Sequence, residues 1–298
     1  MPQKCSNYKT LPTQNLLNMT IGCFALNTPF SPLDTQLTQI ATWGFRHADV
    51  TDNCDGASLG VEFGFAAVAS LDSNPHDVRR AFAAHGIEIT SWCAHANLLD
   101  PSAPWRYGTP QIIKAVKSAA AIGVRHVITT EGEPSTAFGK NLTDAEAILL
   151  VREKLHEPLR LAEDLGVKIL FEPHGPISDS IALTERILDA CDSPALGLNL
   201  DTGNLWLGGG DPVAYVHKFG SKIEHVHWKD MPAEMESRRG KIFGCGMATI
   251  ALGSGVVGIE AVYNALLEVG FDGHTTLEVA GEDAVLGSRN FLEKLSKA

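Results

Sequence analysis

Leu196-Gly-Leu-Asn-Leu-Asp201 is a short aliphatic run whose last residue is acidic. Three other runs share this form, and the last residue of each is a type that binds metal ions: Val167-Lys-Ile-Leu-Phe-Glu172, Ile223-Glu-His-Val-His227 and His274-Thr-Thr-Leu-Glu278. Runs of this length, bounded by glycine, proline or polar turns, are typical of buried strands. If the strands are parallel neighbours, their carboxyl ends meet at one mouth. The sequence then predicts that three carboxylates and one imidazole converge there.

Each of these four positions also has a plainer interpretation. A carboxylate directly after a strand is often only a turn former or a helix cap, because its oxygens accept hydrogen bonds from nearby backbone amides. A capping role explains neither the histidine nor the fact that all four residues lie at the ends of predicted strands. Together, the four residues therefore indicate a divalent-metal site: Glu172, Asp201, His227 and Glu278.

Strand-like and helix-like segments alternate from Met19 onward. The strand candidates are eight, at 19–25, 45–50, 87–93, 124–130, 167–172, 196–201, 223–228 and 274–279. A strand–helix unit that repeats about eight times over roughly 280 residues predicts a single α/β domain, a (β/α)8 TIM barrel. The expected domain spans residues 19–298, after an N-terminal lead-in at 1–18. No Gly-x-Gly-x-x-Gly follows the first strand, which argues against a doubly wound dinucleotide-binding sheet.

The ends of the helical stretches carry their own signals. A cap residue precedes a proline at Ser31-Pro32, Asn74-Pro75, Thr109-Pro110 and Asp211-Pro212. Thr143 and Glu146 form the pattern of a capping box. Six glycines follow helical stretches, as expected for residues that end a helix in the left-handed conformation: Gly44, Gly86, Gly123, Gly166, Gly220 and Gly270. Pro158 is expected to kink or split its helix.

The longer connections lead from strand to helix, at 50–74, 94–109, 130–142 and 229–257. In a barrel, these loops build the active-site face. The predicted metal ligands and the long loops therefore share one end of the barrel. Three tryptophans near these loops could pack on a sugar ring: Trp105, Trp206 and Trp228.

Composition limits the partners and the compartment. The formal net charge of −11 argues against a nucleic-acid backbone as the main ligand. The six cysteines form no Cys-x-x-Cys pair, which favours a reducing cytoplasm. The polar start leads into no hydrophobic signal region, and no segment has the length of a membrane span. We therefore expect a cytoplasmic protein without a membrane partner. A homo-oligomer is possible.

The predicted ligands suit one divalent ion, with Mn²⁺ first and Mg²⁺, Co²⁺ or Zn²⁺ possible. Such an ion acidifies the C–H between a carbonyl and a hydroxyl and stabilises the metal-bound enediolate that forms. Glu172 and Glu278 could move the proton on opposite faces of a small sugar or keto-sugar. Return of the proton gives isomerisation or epimerisation, whereas loss of a β-substituent makes the protein a lyase or dehydratase. The sequence leaves both reactions open.

Two histidines near the predicted ligands have competing interpretations. His174 lies in the loop after the fifth strand, and we favour substrate contact or acid–base catalysis over loop filling. His225 shares a strand face with His227 and is expected to point into the barrel. There it is either a satisfied core group or a contact to the substrate.

The remaining candidate substrate contacts are charged or polar residues at strand ends and in loops. Lys229 could neutralise an enediolate oxygen or simply pair with Asp230. Arg239 belongs to a charged cluster in a long loop, which is solvated unless the loop closes on a substrate. Asp49, His95 and Glu131 lie at the corresponding ends of earlier strands and are weaker candidates for contacts to substrate hydroxyls.

At several motifs the sequence resembles the sugar phosphate isomerase/epimerase superfamily, whose fold is a xylose isomerase-like TIM barrel. These motifs are Phe171-Glu-Pro-His-Gly175, Asn199-Leu-Asp-Thr-Gly-Asn204, His225-Val-His-Trp-Lys-Asp230, Leu252-Gly-Ser-Gly-Val-Val257 and Leu277-Glu-Val279. The resemblance covers most of the chain from about residue 19 onward. It implies the same four metal ligands and an enzyme related to ketose epimerases and inosose dehydratases.

Two differences from the motifs of family members limit which of the family's activities we expect for this protein. Asn204, a candidate substrate contact, lies three residues after Asp201, where ketose 3-epimerases commonly carry histidine. Apurinic-site endonucleases with this barrel need an Asp-x-His where this chain has Ala248-Thr-Ile-Ala-Leu252, so DNA repair is not expected. The leading prediction is an isomerase or epimerase and the alternative a lyase or dehydratase. A non-catalytic sugar- or metal-binding barrel is a third possibility.

Overall fold

The structure, a computed structural model, describes residues 19–28, 30–51, 69–100, 108–245 and 248–297. Eight parallel strands form a closed barrel in chain order, in which the first strand also pairs with the eighth. The strands are β1 (Thr20–Phe24), β2 (His47–Thr51), β3 (Glu88–Cys93), β4 (His126–Thr129), β5 (Lys168–Phe171), β6 (Leu196–Asp201), β7 (Ile223–Trp228) and β8 (His274–Leu277). The predicted (β/α)8 barrel is confirmed. The predicted lead-in at 1–18 lies outside the described residues.

Helices follow the strands and surround the barrel. Within the described residues they are α1 (Leu33–Thr42), α2 (Pro75–Ala84), α3 (Thr109–Ile122), α4 (Ala137–Lys140), α5 (Asp144–Leu165), α6 (Ile181–Cys191), α7 (Thr202–Leu207), α8 (Pro212–Phe219), α9 (Ile259–Glu268) and α10 (Glu282–Leu295). The short helices α4 and α7 lie within strand-to-helix connections. Among the described helices, none combines the length and the hydropathy needed to cross a bilayer.

Most of the predicted helix starts are confirmed. The side chains of Asn74 and Asp211 accept hydrogen bonds from the first backbone amides of α2 and α8. Thr143 and Glu146 form a complete capping box at α5. The predicted cap at Thr109 is wrong, because its hydroxyl donates instead to the carbonyl of Lys154, at 2.6 Å, and Gly108 takes the cap position.

Two further expectations about the helices need correction. The Ser31 side chain does not cap α1, which begins at Leu33 with Pro32 at the cap position. Pro158 does not split α5, which runs continuously from Asp144 to Leu165, and the predicted kink stays a prediction. A proline removes only one backbone donor, and Leu155 and Leu159 on either side are buried and anchor the adjoining turns.

The two faces of each strand have different neighbours. In β7, His225 and His227 point into the barrel, as predicted, where each lies within 3.3 Å of Asp49 on β2. Trp228 points outward and packs on Tyr263 of α9, with ring centroids 6.5 Å apart. Trp228 is fully buried between the barrel and α9. A sugar ring therefore cannot pack on it as predicted. Trp105 lies outside the described residues.

The β7–α9 loop, residues 229–258, is fixed by a single carboxylate. The side-chain oxygens of Asp230 accept hydrogen bonds at 2.9–3.1 Å from the backbone amides of Met231, Gly253, Gly255 and Val257. Gly255 allows this close approach, since a Cβ atom at this position would lie 2.3 Å from the carbonyl oxygen of Met231. The described parts of this loop, 229–245 and 248–258, are therefore held together next to the carboxyl end of the barrel.

Candidate metal centre

The four predicted ligand residues lie together at the carboxyl end of the barrel. Glu172 and Glu278 directly follow β5 and β8, Asp201 ends β6, and His227 is the penultimate residue of β7. One potential ligand atom from each lies within 4.8 Å of the others. His227 Nδ1 is 3.2 Å from Glu172 Oε2 and 3.1 Å from Glu278 Oε2. The predicted convergence of these strand ends is confirmed.

Asp49 of β2 orients the ring of His227 from the opposite side. His227 Nε2 lies 3.1 Å from Asp49 Oδ2, so Nε2 donates a hydrogen bond and Nδ1 is left facing the carboxylates. His225 Nε2 lies 3.3 Å from the same oxygen, and His225 Nδ1 lies 3.0 Å from Asn199 Oδ1. Both contacts of His225 are thus to groups within the barrel. Its predicted contact with a substrate stays a prediction.

Two carboxamides hold the carboxylate of Glu172. Asn199 Nδ2 donates to Oε2 at 2.9 Å, and Asn204 Nδ2 donates to Oε1 at 3.3 Å. Asn204 Oδ1 in turn accepts hydrogen bonds from the backbone amide of Cys245, at 2.9 Å, and from its thiol, at 3.1 Å. Asn204 therefore links Glu172 to the β7–α9 loop.

Lys229 bridges two of the predicted ligands. Its Nζ lies 2.8 Å from Asp201 Oδ2 and 2.8 Å from Glu278 Oε1, and the residue is only 3% exposed. The alternative that Lys229 pairs with Asp230 is wrong, because both oxygens of Asp230 accept hydrogen bonds from backbone amides. The charge of Lys229 is directed at the ligand cluster.

The pKa values of the cluster residues are shifted because their charged groups are buried and lie close to one another. The pKa of Asp201 is raised to about 7, chiefly by burial and also by the nearby Glu278 and Glu172, while the charge of Lys229 lowers it. Burial alone would also raise the pKa of Glu172, but His227 and Lys229 hold it below its ordinary value. The pKa of His227 lies well above its ordinary range, since Glu172 and Asp49 outweigh the effect of burial. Without a cation, the carboxylates thus compete for a proton and for the two basic groups.

His174 and His95 are neighbours beside this cluster. Their ring centroids are 6.4 Å apart. Gly244 of the β7–α9 loop approaches His174 so closely that a Cβ atom there would lie 2.5 Å from ring atom Cε1. The carboxylate of Glu131 accepts hydrogen bonds from the amides of Ile177 and Ser178 and from the Ser178 hydroxyl. Glu131 therefore fixes the loop that carries His174.

Arg239 lies on the outer part of the β7–α9 loop and binds the end of α7. Its Nε donates to the carbonyl of Trp206 at 3.0 Å, and its Nη2 donates to the carbonyl of Gly210 at 2.9 Å. The guanidinium carbon lies 5.3 Å from the centroid of the Trp206 ring. These contacts are all within the protein, and the predicted substrate role of Arg239 stays a prediction.

Comparison with known proteins places this geometry in a family. A family model described as a xylose isomerase-like TIM barrel matches residues 38–295, most of the 298-residue chain. The chain belongs to this family. An inosose dehydratase from Clostridium beijerinckii is 26% identical to this chain over 179 residues. The matched residues are 58% of this chain and 60% of that relative. The match thus spans less than two thirds of that relative's length.

Solved structures share the xylose isomerase-like barrel along almost its whole length. A D-tagatose 3-epimerase-like protein has a TM-score of 0.72 at 20% identity, covering 94% of this chain and 97% of that one. The IolI protein, solved with a bound zinc atom, has a TM-score of 0.70 at 17% identity, covering 94% and 98%. At these identities, the two structures show the common fold alone.

The donor groups of this family member fit a divalent cation. Three potential ligand atoms are buried and, among the described residues, make no hydrogen bond of good geometry: Asp201 Oδ2, His227 Nδ1 and Glu278 Oε2. When all three are ionised, the carboxylates carry three negative charges, and Lys229 offsets one of them. With His227 neutral, two negative charges remain, which matches the charge of a divalent ion.

Sequence reasoning named Asp49 and Lys229 as candidate contacts to the substrate without predicting the contacts they make here, and it did not single out Asn199. The contacts of Asp49 and Asn199 reach across the barrel, and the sequence does not show which residues meet there. Asn199 nevertheless lies two residues before Asp201 and therefore on the same face of β6. That spacing was a usable signal. The bridge from Lys229 to two ligands depends on its side-chain direction, which the strand pattern does not give.

Proposed function

We propose that this protein is a divalent-metal-dependent enzyme that removes a proton from the carbon next to a carbonyl group in a small sugar or keto-sugar. The observation that carries the proposal is the convergence of Glu172, Asp201, His227 and Glu278, with ligand atoms within 4.8 Å of one another. When bound, the ion polarises the carbonyl and acidifies the neighbouring C–H. Mn²⁺ is the first choice because three of the four groups are carboxylates, and Zn²⁺, found in the IolI protein, is the alternative.

In this proposal the chain's own groups divide the work. Three carboxylates and His227 Nδ1 would hold the ion, and Asp49 keeps the ring of His227 in the required orientation. Lys229 places a fixed positive charge beside the region where the substrate gains negative charge. A carboxylate of the cluster accepts the proton from carbon.

Two outcomes share this first step. The leading candidate returns the proton to the sugar, which makes the protein an isomerase or epimerase. The second candidate loses water and is favoured by two observations: relatives with detectable sequence similarity include inosose dehydratases, and Asn204 stands where histidine is common in ketose 3-epimerases. Product mass separates the candidates, since isomerisation conserves the mass of the substrate and dehydration lowers it by one water.

Metal content tests the proposal directly. The protein and its Glu172→Gln variant would be incubated with excess Mn²⁺, desalted and measured by elemental analysis. We expect about one ion per chain in the protein and a strongly reduced content in the variant. Glu234→Gln, an exposed glutamate on the same loop as Lys229, is the matched control and should keep its ion. A protein that binds no divalent ion under these conditions would contradict the proposal.

A further inference from the structure

A second group of potential metal ligands lies on the other side of the His227 ring. Asp49 of β2, Cys93 of β3 and His227 each place one potential ligand atom within 4.8 Å of the other two. His225, two residues before His227 on β7, lies beside them, with its Nε2 3.3 Å from Asp49 Oδ2. All four residues are at most 1% exposed. We call these four residues the inner group, and we call the four predicted ligands at the strand ends the outer group.

The hydrogen bonds of His225 leave one of its ring nitrogens without a partner. Asn199 Nδ2 donates to Glu172, so the carboxamide oxygen of Asn199 is the atom that faces His225. His225 Nδ1 lies 3.0 Å from that oxygen and donates to it, and a neutral imidazole then has its lone pair at Nε2. This lone pair faces Asp49 Oδ2, which is also an acceptor, and Nε2 makes no hydrogen bond among the described residues. A cation between these two buried acceptors would remove their repulsion.

Oδ2 of Asp49 lies at the centre of the inner group. It is 3.3 Å from His225 Nε2 and 3.1 Å from His227 Nε2. The other oxygen of Asp49, Oδ1, accepts a hydrogen bond from the Thr90 hydroxyl at 2.5 Å. Nitrogen and oxygen ligands that lie about 2.0–2.2 Å from a tetrahedral zinc ion are roughly 3.3–3.6 Å from one another. The separations of Asp49 Oδ2 from the two histidines are therefore close to those that a tetrahedral ion requires.

We propose that the inner group is a second metal site, which takes a thiophilic divalent ion such as Zn²⁺. Cys93 supplies a thiolate, Asp49 supplies a carboxylate oxygen, and the two histidines supply their Nε2 atoms. The thiol releases its proton when the ion binds, so two negative charges balance the charge of the ion. Thiolate ligands favour zinc, whereas the three carboxylates of the outer group favour Mn²⁺. This site is separate from the proposed function and does not depend on it.

Occupation of the inner site takes His227 away from the outer group. A neutral imidazole has one lone pair, and an ion at Nε2 uses it. The proton that Nε2 otherwise donates to Asp49 moves to Nδ1, where the carboxylates of Glu172 and Glu278 lie 3.2 and 3.1 Å away and accept it. The outer group then lacks its nitrogen ligand. The two sites therefore exclude one another, and a thiophilic ion in the inner site prevents Mn²⁺ from binding the complete outer group.

Cobalt tests the inner site directly, because a thiolate bound to Co²⁺ gives an absorption band in the near ultraviolet. The unmodified protein and Glu278→Gln, which lacks one outer ligand, would be refolded from urea with excess Co²⁺, since an enclosed site exchanges ions slowly once folded. We expect the band in both proteins and its loss in Cys93→Ser. Cys245→Ser is the matched control and should keep the band, although Cys245 lies beside Asn204 near the outer group. Absence of the band from both proteins, or its presence in Cys93→Ser, would overturn the proposal.

His225→Gln tests the histidine that is not shared with the outer group. The variant lacks the Nε2 lone pair but keeps Cys93, so the band should still form at saturating Co²⁺. We expect the Co²⁺ affinity to fall by at least as much as the loss of a supporting partner causes, about 10- to 100-fold. His156→Gln, at an exposed position of α5, should keep the affinity of the unmodified protein. An unchanged Co²⁺ affinity in His225→Gln would contradict the assigned ligand set.

Mutual exclusion is tested by adding Mn²⁺ to the Co²⁺-loaded protein. We expect the thiolate band to decrease as Mn²⁺ fills the outer group, and Glu278→Gln should need at least about tenfold more Mn²⁺ for the same decrease. A full band in protein that has bound one Mn²⁺ per chain would show that the sites do not exclude one another. Failure of the metal-free protein to bind Mn²⁺ would instead count against the proposed function, and the cobalt band would still decide whether the inner site exists.

Discussion

The two ring nitrogens of His227 have separate tasks. Nε2 binds the carboxylate of Asp49, while Nδ1 faces Glu172 and Glu278. Burial would raise the pKa of Asp49, but His225 and His227 hold it well below its ordinary value, so this carboxylate is ionised. An ionised acceptor fixes the tautomer of His227 and makes Nδ1 a better ligand. Asp49 would thus support the proposed ligand His227 without being one of the four proposed ligands.

Replacement of Asp49 by asparagine tests this task. Asn keeps the size of the side chain but removes its charge, and its amide can present a donor to His227 Nε2. We expect Mn²⁺ affinity to fall by about 10- to 100-fold, as measured by titration calorimetry. Asp272→Asn, at an exposed position, should not change the affinity. An unchanged affinity in Asp49→Asn would show that Asp49 does not support the ligand.

At the scale of elements, the β7–α9 loop shows how one residue organises a long segment. The four backbone amides bound by Asp230 come from both ends of the loop, so the loop closes on itself around this carboxylate. The same loop delivers Cys245 to Asn204 and Gly244 to His174. Its course therefore determines the surroundings of Glu172 as well as its own stability.

Removal of the Asp230 carboxylate should be costly. Asp230→Ala leaves four amides without their acceptor, and hydrogen bonds to a charged group contribute about 1.5–3 kcal/mol each before water compensates the exposed ones. We expect the free energy of unfolding to fall by about 3 kcal/mol in urea titrations. Asp189→Ala, on the exposed side of α6, should change it by less than about 0.5 kcal/mol. A similarly small effect of Asp230→Ala would refute the anchoring role.

The sequence predicted the structure best where a local residue pattern also determined where a residue lies in the fold. Each of the four aliphatic runs is a strand, and its terminal residue reaches the barrel mouth because parallel strands share one direction. The cap at Thr109 failed because a carbonyl from another helix competed for the hydroxyl, which local sequence does not encode.

At the scale of the whole molecule, the four proposed ligands are positioned by four different strands of the barrel. Glu172, Asp201, His227 and Glu278 come from or directly follow four successive strands, β5 to β8, and β8 pairs with β1 to close the barrel. An ion bound by all four would tie half of the strands together. Because an unfolded chain cannot present this arrangement, binding would favour the folded state.

Metal addition should therefore stabilise the protein against unfolding. At a free Mn²⁺ concentration 100 times the dissociation constant, the free energy of unfolding should rise by about 2.7 kcal/mol. Urea titrations with and without Mn²⁺ measure this difference. The Glu172→Gln variant should gain much less at the same concentration. An equal gain in both proteins would mean that Mn²⁺ binds elsewhere.

The pairing of β1 with β8 has a consequence for protein synthesis. β1 and β8 are hydrogen-bonded neighbours, yet the ribosome makes β1 first and β8 last among the eight strands. A growing chain that lacks β8 has three of the four ligand residues and no complete site. Domains fold as units once their chain is available, so the proposed ability to bind an ion would arise only after the eighth strand has been translated. Every shorter nascent chain is without the completed centre.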